Sequence, residues 1–256
     1  MPEMTEYAPG TPSWVDLGSP DIEASKAFYK ALFGWEAVDQ GPEGGGYHMF
    51  TLRDQPVAGL GPAINPGPPY WSTYVTVADT DAVAAAVRDA GGVAFVEPMD
   101  VLDAGRMAVF ADPTGVPFSI WQARNHVGSG LVNEVGALCW NELNSRDPQA
   151  ASAFYGSVFG WDTKADDSVA DYSMFLRDGS PIAGMIDMRG RVPDEIPPHW
   201  LVYFGVADVD ATVATAGEAG GTVFVPPTEI PNMGRFAVIG DPQGAFFGTF
   251  EFASTA

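Results

Sequence analysis

Two carboxylates stand at matching places in a repeated apolar motif, Trp14-Val15-Asp16-Leu17 and Trp140-Asn141-Glu142-Leu143. In an extended strand a residue two places after a tryptophan shares its face, so each acid lies on the same side as an indole. A carboxyl group held among rings loses hydration of its charged form. Its pKa then rises toward the range useful to a general base, with a tyrosine hydroxyl as the complementary acid. The remaining groups offer less. The chain has only three histidines, His48, His126 and His199, none in a HExxH or closely spaced pair, so no histidine-rich metal site is expected. His126 and His199 read as loop or surface residues without catalytic duty, and His48 has Ser173 as its counterpart in the second repeat. The lone Cys139 precedes Trp140 and points to the opposite face, which reads as core rather than nucleophile. There is no nucleophile elbow, phosphate-cradling loop or dinucleotide fingerprint, so no cofactor is expected.

The elements that carry these groups occur twice. Ala27-Phe28-Tyr29 followed by Phe33-Gly34-Trp35 recurs as Ala153-Phe154-Tyr155 followed by Phe159-Gly160-Trp161, and Asp112-Pro113-Thr114-Gly115 recurs as Asp241-Pro242-Gln243-Gly244. The offset grows from 126 to 129 along the repeat as loops change length, so two tandem copies fill nearly the whole chain. Within the first copy the pattern predicts a strand near 12–18, a helix near 21–33, strands near 46–52 and 57–61, a strand at 72–78, a helix at 80–90, and strands near 94–100, 106–111 and 116–122. Ala24, Ala27, Phe28, Ala31 and Leu32 form one helical stripe. Asp147 with Pro148 marks a helix start, and Gly91-Gly92 and Gly220-Gly221 mark helix ends. The Asp-Pro-x-Gly segments read as hairpin turns. The expected organisation is a first unit over 1–123, a linker over 124–136 and a second unit over 137–256.

Composition narrows the partners. Hydrophobic residues make up 46% of 256 residues and charged residues 18%, enough for well-filled cores. The formal charge of −21 repels phosphate backbones and anionic headgroups, which argues against nucleic acid and membrane partners. A single cysteine cannot form an internal disulfide, and the segment up to Trp14 lacks the basic region and apolar run of a secretory signal, so the reading is cytoplasmic.

A strand followed by a helix with Ala-x-x-Phe-Tyr that closes at Phe-Gly-Trp, then a second strand-helix unit and an Asp-Pro-x-Gly hairpin, resembles the vicinal oxygen chelate superfamily. That superfamily includes glyoxalase I, bleomycin-resistance proteins and extradiol dioxygenases. The resemblance covers both copies and implies an α+β fold of tandem glyoxalase-like domains. In each, two paired βαβββ modules would form a curled-sheet cup around a ligand or metal. It also implies where metal ligands would stand in metal-dependent members: Trp14 and Trp140 on the first strand, near Gly59 and Gly184 on the fourth, Ser72 and Leu201 on the fifth, Ser119 and Gly248 on the last. None of these is a good ligand, so no metal site is expected.

Counting by twos from those positions places Trp14, Asp16, Ser72, Tyr74, Thr76, Ser119 and Trp121 in the first cup, and Trp140, Glu142, Leu201, Tyr203, Phe246 and Phe250 in the second. Aromatic walls with one carboxylate suit a planar or cationic organic molecule. Alternatively the two acids are structural and pair with Arg106 and Arg235. The leading expectation is a small-molecule binding protein of the glyoxalase/bleomycin-resistance type. The other is a metal-independent or diverged glyoxalase-like lyase, isomerase or cyclase with Asp16 or Glu142 as general base. Of the two cups the second, with Leu201, Phe246 and Phe250, reads as the fuller. Two fused copies could satisfy internally a pairing that single-copy relatives achieve by dimerising, so a monomer or a homodimer is expected.

Overall fold

The computed structural model describes residues 3–63, 67–166 and 169–253. The first copy runs β1 (Pro12–Ser19), α1 (Ile22–Phe33), β2 (Glu36–Asp39), β3 (His48–Leu52), β4 (Gln55–Pro62), β5 (Trp71–Thr76), α2 (Thr80–Asp89), β6 (Val93–Val101), β7 (Gly105–Ala111) and β8 (Pro117–Ala123). The second repeats it as β9 (Leu138–Ser145), α3 (Pro148–Phe159), β10 (Asp162–Ala165), β11 (Tyr172–Arg177), β12 (Ser180–Asp187), β13 (His199–Gly205), α4 (Val209–Glu218), β14 (Thr222–Ile230), β15 (Gly234–Gly240) and β16 (Phe246–Phe252). Each copy is one eight-stranded sheet, ordered β2-β3-β4-β1-β5-β8-β7-β6 and β10-β11-β12-β9-β13-β16-β15-β14. The βαβββ modules meet at the antiparallel pairs β1/β5 and β9/β13. The short edge strands β2 and β10 are absent from the sequence reading. Glu36-Ala37-Val38-Asp39 and Asp162-Thr163-Lys164-Ala165 are largely exposed, so no alternating apolar pattern announces them.

Local chemistry sets the helices. The Asp21 and Asp147 carboxylates accept from the third N–H of their helices, and Gly34 and Gly160 close them at φ 70° and 71°, a conformation that favours glycine. The apolar stripes do not pack only within their own copy. Phe28, Tyr29 and Phe33 of α1 join Val15 and Leu17 of β1 with Phe204, Ile239 and Phe247 of the second copy in one core. Phe154 and Tyr155 of α3 join Phe175 with Val87, Phe110 and Phe118 of the first copy in another.

The repeated motifs cross over between copies. Tyr29 donates from its hydroxyl to Asp241 Oδ2 at 3.1 Å, and Tyr155 to Asp112 Oδ2 at 3.2 Å. Trp71 and Trp200 donate their indole N–H groups to those same tyrosine oxygens. The Asp-Pro-x-Gly turns are therefore structural, as read, but each also completes a buried network reaching the other copy's helix. Residues 124–137 are tied down as well: Ser129 and Gly130 donate to the Ser13 and Pro56 carbonyls, and Gly136 to that of Gly205. With helices and shared cores on the convex sides, the two concave faces look outward.

Candidate functional site

The concave face of the first sheet, cup 1, gathers the residues expected there. Register sets Asp16 of β1 beside Gly59 of β4 and opposite Ser72 of β5, with Trp14 opposite Tyr74 and Tyr74 beside Ser119 of β8. Asp16 Oδ2 accepts from the Tyr74 hydroxyl at 2.9 Å and from the Tyr47 hydroxyl at 3.3 Å. Trp14 Nε1 donates to the Tyr47 oxygen at 3.2 Å. Trp14, Tyr74 and Trp121 form a small apolar cluster with Met49, Val101 and Met107 packed on it. Thr76 is buried and donates to Ser13 Oγ at 2.6 Å.

Cup 2 repeats the arrangement. Glu142 lies beside Gly184 and opposite Leu201. Glu142 Oε1 accepts from the Tyr203 hydroxyl at 3.2 Å and from Asn144 Nδ2 at 3.4 Å, and Trp140 Nε1 donates to the Tyr172 oxygen at 2.9 Å. Phe236, across from Phe250 on the neighbouring strand, has its ring 6.4 Å from that of Tyr203.

Tyr47 and Tyr172 are the residues that the sequence reading missed. They reach the acids because Gly59 and Gly184 bear no side chain, and a Cβ at either place would overlap the tyrosine hydroxyl. A signal existed in the repeat Tyr47-His48-Met49-Phe50 and Tyr172-Ser173-Met174-Phe175. Phe50 and Phe175 belong to the convex cores, so alternation turns His48 and Ser173 away from the cups and both tyrosines into them.

Two readings need correction. Arg106 and Arg235 do not pair with the cup acids; Arg106 bonds Asp81 and Asp100, and Arg235 bonds Asp210. The cause is alternation: Arg106 lies between Gly105 and Met107, whose side faces the cup, so it points toward the helix side. The second cup is the fuller one only around its acid: Glu142 and Leu201 are buried where Asp16 and Ser72 are half-buried, but Trp14 is 4% exposed while Trp140 is half-buried. His126, read as a loop residue without a role, packs edge-on against Trp14 with centroids 4.4 Å apart and against Trp121 at 5.7 Å. His199 is half-buried at the rim of cup 2, opposite Asn144.

Burial governs the electrostatics. It raises the Asp16 carboxyl, against hydrogen bonds from Tyr74, Ser72 and Tyr47 that pull it down. It pushes Glu142 up to about 7, against hydrogen bonds from Tyr203, Asn144 and Tyr172. The facing Tyr74 and Tyr203 hydroxyls are raised by burial and then by the adjacent carboxylate, so both remain donors. Burial holds His126 down at about 4, which keeps its ring neutral. Cys139 is half-buried and its thiol is raised by burial, the opposite of an activated nucleophile.

The outer half of each cup is apolar and open. Met99 and Val96 on β6 face Met107 and Val109 across the ladder, which places them on the cup side. Phe246 lies two residues before Gly248, whose Cβ direction meets the Tyr203 ring, so it too faces the cup, 4.5 Å from Phe224. Phe95 is 59% exposed, Phe224 51% and Phe246 38%.

The donor set does not fit a divalent cation. The four positions that would carry metal ligands hold indole, glycine, and serine, leucine or glycine, and the one carboxylate per cup is occupied by tyrosine hydroxyls. Among the described residues no three His, Cys, Asp or Glu side chains converge. Nor is any helix among them long and apolar enough to cross a membrane.

Comparison with known proteins agrees with this architecture. The Mycobacterium tuberculosis protein named "Putative glyoxylase CFP32" is 44% identical over 260 residues, covering 98% of each chain. The anthracycline biosynthesis protein DnrV of Streptomyces peucetius is 39% identical over 267 residues, covering 97% of this chain and 95% of that one. The Mn(II)-bound glyoxalase of Novosphingobium aromaticivorans shares the fold, with a TM-score of 0.66 at 18% identity over 94% of this chain and 82% of that one. The family model matches twice, at residues 11–120 and 132–248. Two copies of the fold, both matched, make this chain a member of the Glyoxalase/Bleomycin resistance protein/Dioxygenase superfamily.

Proposed function

We propose that the protein binds a small planar or cationic organic molecule in an aromatic and acidic cup, without a metal ion. One observation carries this reading. Each cup holds a carboxylate, half-buried in Asp16 and buried in Glu142, that among the described residues has no basic side chain as partner and accepts from neutral donors alone, beneath a wall of exposed apolar side chains. A buried ionised acid without a counter-cation is costly, and a ligand cation or donor would relieve it. The rings offer a flat ligand stacking area, and its positive edge or charge gains from ring faces and carboxylate together. The likeness to a protein named for anthracycline biosynthesis supports the same class, since anthracyclines are fused planar rings.

Calorimetric titration with a panel of planar amines and neutral polycycles tests it. Affinity for a cationic member should rise with pH through about 7 as Glu142 ionises, and Trp140→Ala or Glu142→Gln should weaken it at least tenfold. Unchanged affinity in both variants would remove the cup from the function. A second reading is favoured by the Glu142 carboxyl near 7 with the Tyr203 hydroxyl at 3.2 Å: a general base and a proton donor side by side, as a lyase, isomerase or cyclase requires. Turnover of a bound compound that vanishes in Glu142→Gln while binding persists would select it.

A further inference from the structure

Cup 1 has an occupant supplied by the chain itself. The His126 ring stands edge-on to Trp14 at 82° with centroids 4.4 Å apart, and at 66° to Trp121 at 5.7 Å. It is anchored from both sides, because the Trp121 indole N–H donates to the His126 carbonyl at 2.8 Å and the His126 N–H donates to the Ala104 carbonyl at 3.1 Å. The ring's Nε2 is buried and has no hydrogen-bond partner among the described residues. The imidazole is thus held by its shape and its edge-to-face contacts, not by a polar bond. With it in place Trp14 and Trp121 are 4% and 5% exposed.

Among the described residues cup 2 has the receiving surfaces without the ring. Trp140 and Phe250 are the counterparts of Trp14 and Trp121, and both are half-buried. At the offset of 129 the residue corresponding to His126 is Thr255, which has no ring. In cup 1, residues 124–126 bond the turn at Asp103 and Ala104. At the same end of the second sheet Ala253 N–H donates to the Met233 carbonyl.

Resting on the binding function above, we propose that His126 fills in cup 1 the place that a planar nitrogen heterocycle of the ligand takes in cup 2, edge-on between Trp140 and Phe250, so that each chain binds one molecule. The repeat carries its own image of the ligand: a neutral five- or six-membered heteroaromatic ring presenting an edge to an indole face.

Benzimidazole is the probe. Calorimetry on the full chain is expected to give one equivalent, with affinity at least tenfold weaker in Trp140→Ala. His126→Gly is expected to bind a second equivalent, which Trp14→Ala added to it removes. Two equivalents in the parent, or one in a folded His126→Gly chain, overturn the proposal. Should His126→Gly not fold, indole and imidazole NMR signals of the parent decide: saturating benzimidazole should move the Trp140 Nε1–H resonance and leave the His126 ring unmoved, and the reverse pattern overturns it. Failure of benzimidazole to bind the parent also overturns it, yet leaves the broader binding function standing if another panel member binds through Trp140 and Glu142.

Discussion

Cup 1 and cup 2 hold the same network on the same strands: an indole N–H on a tyrosine oxygen, and a carboxylate accepting from a second tyrosine across the strand pair. They differ in what lies on it. In cup 1 the acid is Asp16, Ser72 and Ser119 stand beside the network, and an imidazole covers the indole. In cup 2 the acid is the longer Glu142, the serines are replaced by Leu201 and Gly248, and Trp140 keeps an open face. Gly248 leaves the space that the Tyr203 ring fills. One duplicated polar network is covered at its indole in one copy, where Trp14 is buried and Asp16 half-buried, and at its acid in the other, where Glu142 is buried and Trp140 half-buried.

Four measurements test that contrast. Trp14→Ala should cost about 3–5 kcal/mol, as loss of a fully buried tryptophan does, and Trp140→Ala about 2 kcal/mol because part of its surface is already in water. Urea midpoints check this, and equal costs would erase the difference between the cups. The second is pH dependence. The Glu142 carboxyl titrates near 7 in the fold against 4.5 as its ordinary value, so between these the folded chain holds the extra proton. Its contribution is complete below pH 4.5 and declines as pH rises through 7, by about 3 kcal/mol in all; the stability difference between the parent and Glu142→Gln, followed from pH 4 to 8, should show that slope. Third, Gly59→Ala and Gly184→Ala should each cost about 1–3 kcal/mol by displacing Tyr47 or Tyr172, with the larger loss in the covered cup. The smallest effect belongs to Arg106→Ala and Arg235→Ala, exposed ion pairs whose removal should leave melting temperature and ligand affinity within error.

Much of this was legible in the sequence. The double offset, the helix caps and the alternation predicted the order of strands and helices in each copy, and the family resemblance supplied the curled-sheet cup and the positions from which Trp14, Asp16, Tyr74, Trp140, Glu142 and Tyr203 were counted into it. Three things were not legible. Tyr47 immediately precedes β3 and Tyr172 opens β11, strands that carry none of the metal-ligand positions from which the cup was counted, and their reach depends on glycines in a neighbouring strand. His126 sits in a segment without periodicity, where no pattern states what its ring touches. The bond from Tyr29 to Asp241 spans 212 residues, a distance over which local rules say nothing.

Those crossed tyrosine–aspartate bonds tie the folding of each repeat to that of the other. A substitution in the hairpin of one repeat is felt at the helix of the other. A change at Asp112 bears on Tyr155, and a change at Asp241 on Tyr29. Divided between its sheets, such a chain should yield fragments that complement one another when mixed and fold poorly apart.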